Sequence, residues 1–157
     1  MPAIDDAREA LCRIAGFVAE LDLADSDGAQ ARLAAALPLA ALGDVRALVV
    51  KAHAEGTLTP KQAGGIGFGR VSKPTPETFD HAIDAVDIEG VGAEHTHPRG
   101  EVSLCFATAG DPRFDGHPEG WVVKPPGSHH APTVTGGRML IVYFLPGGAM
   151  KWGPRDA

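Results

Sequence analysis

Along the first stretch of the chain, apolar residues recur at spacings of three and four: Ile4, Ala7, Leu11, Ile14, Val18 and Leu21. That period places them on one face of a helix, with Asp5 and Asp6 near its positive N-terminal end. A second helix is predicted from Ala29 to Leu37, where Pro38 restricts the residue before it. A third is predicted with Asp44 as its N-cap, Val45, Leu48, Val49 and Ala52 as its apolar face, and Gly56 as its stop. From about Thr59 onward the helical period is lost. Short β-branched and aromatic runs take its place: Ile66 to Val71, Ile83 to Ile88, Val91 to His97, Glu101 to Ala107, Trp121 to Lys124 and Arg138 to Leu145. Turn pairs separate them, among them Asp111-Pro112, Asp115-Gly116, Pro126-Gly127 and Gly136-Gly137. The lack of a helical period between the strands argues against βαβ units and for an antiparallel sandwich or barrel.

Composition sharpens this division. Of 20 glycines and 13 prolines, only Pro2, Gly16, Gly28, Pro38 and Gly43 precede Gly56. The 157 residues therefore read as one domain, with residues 1–56 a helical N-terminal extension and residues 57–157 a tightly turned barrel. A formal charge of -6 argues against nucleic acid or an anionic membrane as partner. No apolar run approaches the roughly 18 residues of a membrane span, and the acidic start MPAIDDAREA lacks the order of a signal peptide. Cys12 and Cys105 are too few for a disulfide framework, so a reducing, cytoplasmic setting is expected.

Chemistry concentrates in the histidines, of which five of seven lie between His95 and His130. His95 and His97 stand two apart on a strand and so project from one face. Pro98-Arg99-Gly100 supplies a turn and Glu101 opens the next strand, giving His-x-His-x-x-x-Glu. Further on, Pro125-Pro126-Gly127-Ser128-His129-His130 combines a type II turn signal with a strand that returns a histidine toward the first cluster. Three imidazoles and a carboxylate suit one divalent first-row metal ion, whether iron(II), zinc, manganese, nickel or copper, with positions left for water or substrate.

Two segments carry a resemblance. Gly90 through Gly110, with His95, His97 and Glu101, resembles the first motif of the cupin superfamily; Gly120 followed by Pro125-x-Gly127-x-x-His130 resembles the second. Gly90 lies one residue too close to His95, Gly110 two too far from Glu101, and Val134 stands where many cupins have asparagine. The resemblance implies a mainly β chain with an N-terminal α segment, folded as a double-stranded β-helix (jelly-roll) barrel. His95, His97, Glu101 and His130 would then bind its metal. The spacing selects His130 over His129, because adjacent strand residues face opposite ways.

A narrower resemblance covers nearly the whole chain. HTHPRGEVSLCF, FDGHPEGWVVKPPGSHHAPTV and LIVYFLPGGAMKW look like the 4-hydroxylaminobenzoate lyase family. It implies conversion of 4-hydroxylaminobenzoate to 3,4-dihydroxybenzoate (protocatechuate) with release of ammonia, a step of nitroaromatic degradation. A small aromatic substrate and a homodimer are the expected partners. Two other functions use the same barrel: a dioxygenase acting on a small aromatic, and a small-molecule-binding cupin without turnover.

Within the lyase reading, Glu101 is either a ligand or the general base that moves a proton from water. An aromatic carboxylate needs a cation in an apolar barrel, and Arg99, Arg70 and Lys124 are nominated for it; Arg138 also lies in a predicted strand. Trp121, Phe106 and Tyr143 are assigned to the core before a ring-flanking role. Cys105, in phase with Glu101 and Ser103, is expected to be a small buried residue facing the interior. The run Gly64 to Gly69 lacks the lysine and helix of a phosphate loop and reads as a glycine-punctuated strand or bulge.

Overall fold

A computed structural model of the chain describes residues 2–155. Three helices come first: α1 (Ala3–Val18), α2 (Ser26–Ala36) and α3 (Gly43–Ala54). The rest is strand: β1 (Lys61–Ala63), β2 (Ile66–Ser72), β3 (His81–Val91), β4 (His95–His97), β5 (Glu101–Phe114), β6 (Gly120–Lys124), β7 (Ser128–His130), β8 (Thr133–Pro146) and β9 (Lys151–Trp152). A six-stranded sheet runs β1-β2-β3-β8-β5-β6 and a three-stranded sheet runs β7-β4-β9, with every pairing antiparallel. The chain thus forms the mainly β, jelly-roll type of barrel with an N-terminal helical segment. No single described helix is long and apolar enough to cross a membrane.

Strand alternation decides what each face of the large sheet meets. Ile83 and Ala85 on β3, Val102, Leu104 and Phe106 on β5, and Leu140, Val142 and Phe144 on β8 point outward. They pack against Leu11, Ile14, Leu33 and Val49 of the helices in one apolar cluster. Val86 and Ile88, Cys105, and Met139, Ile141 and Tyr143 point the other way, into the barrel. Each large side chain so buried contributes about 1.5–3 kcal/mol. The helices are therefore the outer cover of the six-stranded sheet. Polar ties fix them there: the Trp121 indole donates to the Leu37 carbonyl at 2.8 Å, and the Arg8 guanidinium donates to the Val71 carbonyl at 2.7 Å.

Several elements differ from their sequence-based bounds. Asp44 sits in the first turn of α3 and Leu42 holds the cap position, so the N-cap assignment is corrected. At α2 the cap is Asp25, whose carboxylate accepts from the Gly28 amide at 3.2 Å. The expected turns at Asp111-Pro112 and Gly136-Gly137 are instead bulges within the long β5–β8 pair, where Gly110 faces Gly137. A side chain on Gly137 would collide with the Ala109 carbonyl, so glycine lets the two backbones approach there. Gly64 and Gly65, with φ of 57° and 82°, form the turn that joins β1 to β2, while Gly67 and Gly69 lie within β2. β1 itself is not legible in the sequence, being three exposed residues without an apolar alternation.

Candidate metal centre and its cavity

His95 and His130 are direct cross-strand partners on β4 and β7, and His97 follows His95 on the same face. After the Pro98–Gly100 turn, Glu101 opens β5 with its carboxylate against them. Two turns are locked together at this point: the Gly127 amide donates to the His97 carbonyl at 2.8 Å. Gly100 has φ of 87°, and a β-carbon there would lie 2.9 Å from the Lys124 carbonyl. A tight turn beside another strand is what brings Glu101 to the imidazoles.

The three Nε2 atoms stand 3.0–3.1 Å from one another, and Glu101 Oε2 lies 3.0 Å from His97 Nε2. All four donor atoms fall within 4.8 Å of each other. On the far side of two rings, His95 Nδ1 donates to the Ala93 carbonyl at 2.8 Å and His130 Nδ1 to Asp115 Oδ2 at 2.6 Å. With the proton on Nδ1, each of these rings turns an Nε2 lone pair toward the shared centre. Among the four groups only the His97 ring is left to donate inward, and a cation between them relieves the crowding of the remaining lone pairs and the carboxylate. The spacing fits a cation: ligands about 2.1 Å from a common ion and at right angles stand about 3.0 Å apart, against about 3.4 Å for tetrahedral angles. The donor set therefore fits a divalent ion with open positions for other ligands.

Electrostatics agree with that arrangement. Burial pushes the His95 imidazolium down, and the neighbouring His97 and His130 add to the effect, which favours the neutral ligand form. Burial alone would raise the Glu101 carboxyl. Hydrogen bonds from His97 and from the Ser103 hydroxyl, the latter 2.6 Å from Oε1, outweigh it and hold the group below its ordinary value.

In the sequence Asp115 reads only as part of a turn, and it does more. With φ of 48°, it stands in the left-handed region. Its Oδ2 accepts from His130 Nδ1 and from Lys124 Nζ at 3.0 Å, and its Oδ1 accepts from the Thr133 amide at 2.9 Å. Burial opposes its charge, but the His130 and Lys124 bonds prevail and keep its carboxyl far below the usual range. Carboxylates in this position orient a ligating imidazole and raise its basicity. Asp115→Ala is expected to weaken metal binding about 10- to 100-fold, measured by chelator competition, and Asp115→Asn to recover most of that loss. Equal affinity in all three proteins would remove Asp115 from this role.

The cluster opens onto a cavity of about 330 Å³. Its apolar walls include Phe68, Val86, Ile88, Phe114 and Ile141 from the large sheet and Trp152 from the small one. Polar wall groups come from His95, Glu101, Ser103, His130 and Tyr143. Trp152 meets the His95 ring edge-on at 5.0 Å between centroids. Nothing near Trp152 in the sequence signals this, because it arises from the β9–β4 pairing.

None of the three nominated cations lines the cavity. Arg70 shares a strand face with Ile66 and Phe68, but Asp84 grips it through bonds of 2.8 and 3.3 Å. Lys124 is the register partner of Glu101, and its ammonium is committed to Asp115. Arg99 is exposed, 3.9 Å from Asp80. Arg138 pairs with Asp87 and Glu89. His129 faces away from the cluster, bonded to Thr96 at 2.8 Å and Glu94 at 2.9 Å. Trp121 and Phe106 belong to the helix-side core, whereas Tyr143 reaches the cavity.

Comparison with known proteins adds the family. Among curated proteins, a 4-hydroxylaminobenzoate lyase from Pseudomonas putida is 29% identical over 128 residues, spanning 69% of this chain and 72% of its own. A 4-hydroxylaminobenzoate lyase from Nocardioides sp. (strain LMS-CY) is 31% identical over 93 residues, spanning 53% of this chain and 54% of its own. Among solved structures, an RmlC-like cupin protein from Ralstonia eutropha aligns with TM-score 0.43 at 15% identity, over 60% of this chain and 64% of that one. DMSP lyase DddQ from Ruegeria pomeroyi aligns with TM-score 0.46 at 16% identity, over 73% and 69%. The profile described as PnbB: 4-hydroxylaminobenzoate lyase matches residues 13–152, a span that contains all four converging donors, and the chain belongs to that lyase family.

Proposed function

We propose that this chain is a metal-dependent lyase that converts 4-hydroxylaminobenzoate and water to 3,4-dihydroxybenzoate and ammonia. The observation that carries the reading is the convergence of His95, His97, Glu101 and His130 on the wall of an apolar cavity, in a chain of this family. A cavity of about 150 Å³ holds benzene, so 330 Å³ accommodates one substituted ring. The reaction balances without an external oxidant or reductant: the N–O bond is reduced as the ring is oxidised.

A divalent ion held by the three imidazoles and Glu101 would supply Lewis acidity toward the hydroxylamino oxygen. The protein does the rest. Water adds at the ring carbon beside the nitrogen as the N–O bond breaks and its oxygen leaves as water. A second water hydrolyses the resulting imine to release ammonia, so one water is consumed overall. Glu101, ionised at neutral pH and oriented by Ser103, accepts the proton of the attacking water. The apolar walls seat the ring and limit bulk water around the imine.

The substrate carboxylate then faces the cavity mouth, since an unpaired carboxylate against these walls would be costly. Lys61 on exposed β1 would be the cation offered to it. It shares a face of β1 with Ala63, stands opposite Phe68, and has no ion-pair partner among the described residues.

The test is an anaerobic assay of metal-loaded protein with 4-hydroxylaminobenzoate. Equal amounts of ammonia and 3,4-dihydroxybenzoate are expected, and Lys61→Ala should raise KM several-fold with kcat little changed. Failure of the loaded protein to form either product overturns the assignment, and turnover that requires oxygen replaces it with a dioxygenase.

A further inference from the structure

A single row of inward-facing residues crosses the large sheet beside the metal cluster. Arg70 on β2 pairs with Asp84 on β3, Asp84 with Tyr143 on β8, and Tyr143 with Ser103 on β5. At one end the Arg70 guanidinium donates twice to the Asp84 carboxylate. At the other the Ser103 hydroxyl donates to Glu101. Both ends of the row are engaged. Between them the Tyr143 hydroxyl has no hydrogen-bond partner among the described residues, and its side chain lines the cavity.

The phenol is partly buried and its hydroxyl reaches the cavity space, where it is free to donate to water or to a bound ligand. Its position also restricts what it does. Burial first, and then the carboxylates of Asp84 and Glu101, oppose its ionisation, so it is present as a neutral O–H. Giving up its proton would create a third negative charge beside those two. It is therefore a hydrogen-bond donor rather than a proton source. The same two carboxylates disfavour an anionic acceptor at this spot, whereas a neutral hydroxyl or hydroxylamino oxygen meets no such repulsion. The carboxylate end of a ligand is thereby directed away from Tyr143, and a neutral oxygen toward it.

We propose that Tyr143 is a substrate-contacting specificity residue, whose hydroxyl donates a hydrogen bond to a neutral oxygen on the ring substituent held at the metal end of the cavity. The inference rests on the lyase reading for the identity of that oxygen, the hydroxylamino oxygen of the substrate. It rests on the cavity alone for the class of group recognised. A site built around a buried donor rejects ligands that lack the matching acceptor, because the donor is then left unpaired.

The test is Tyr143→Phe, which removes one oxygen and keeps the ring that packs in the sheet. Three quantities are measured on metal-loaded parent and variant: bound metal, kcat/KM for 4-hydroxylaminobenzoate, and the ratio of dissociation constants for benzoate and 4-hydroxybenzoate by calorimetry. Unchanged metal content is expected, with kcat/KM reduced about 10- to 100-fold and the parent's preference for 4-hydroxybenzoate reduced about five- to tenfold. A preference equal in parent and variant overturns the proposal, even if turnover falls, since a packing role would lower turnover without moving the ratio. A parent inactive on 4-hydroxylaminobenzoate, combined with a preference lost in the variant, overturns the lyase reading and leaves the role of Tyr143 standing.

Discussion

His130→Ala is expected to lower metal affinity by more than about 100-fold, beyond the range of an outer-sphere change, and to take anaerobic lyase turnover below detection. His130 is the better residue to remove because it lies on a three-residue strand and is only partly buried. His97 is fully buried, so its loss would also weaken the fold. Asp115 keeps its bonds from Lys124 and Thr133 when His130 is gone, so the local turn retains its anchor. Metal analysis of the purified variant, after dialysis beside the parent protein, gives the answer. A variant that retains a full equivalent of metal and ordinary turnover would exclude His130 as a ligand.

Glu101→Gln separates two roles that one carboxylate can hold. The substitution preserves shape, and an amide oxygen can still accept from Ser103. Three imidazoles remain to hold the ion. Metal content is therefore expected to stay within about tenfold in affinity, while kcat falls by about 10²- to 10⁴-fold from loss of the proton acceptor. Single-turnover kinetics on metal-loaded variant and parent measure this. Loss of the metal together with the activity would make Glu101 an indispensable ligand instead, and the proton acceptor would have to be sought elsewhere on the cavity wall.

Much of the site is legible in the amino-acid order. His95, His97 and Glu101 lie within seven consecutive residues on two strands joined by one turn, so strand alternation alone places them together. His130 needs the turn chemistry of Pro126-Gly127 and the resemblance to a known family. Asp115, Tyr143 and Trp152 are not legible as site residues. Each reaches the site through strand register: Asp115 from the turn after β5, Tyr143 from the far half of β8, Trp152 from a two-residue strand near the end of the chain. The cations show the converse. Arg70 and Lys124 both sit in strands, but Asp84, the register partner of Arg70, and Asp115, in the turn after β5, hold their charges. Sequence distance conceals such pairing, because Lys124 and its carboxylate are brought together by β-turn geometry and packing.

By itself, then, the amino-acid order determined a helical start, a tightly turned β remainder and a local cluster of metal-type donors, because periodicity and turn propensity act over a few residues. Tertiary structure alone decided the rest. Sheet pairing placed the helices over the outer face of the six-stranded sheet rather than over the cavity. Strand register also put Asp84 beside Arg70, the turn after β5 put Asp115 beside Lys124, and the Tyr143 hydroxyl was left on the cavity wall without a hydrogen-bond partner among the described residues. Those outcomes depend on which residues meet across strands far apart in the chain, and a charge or hydroxyl acquires its role from the group it meets there.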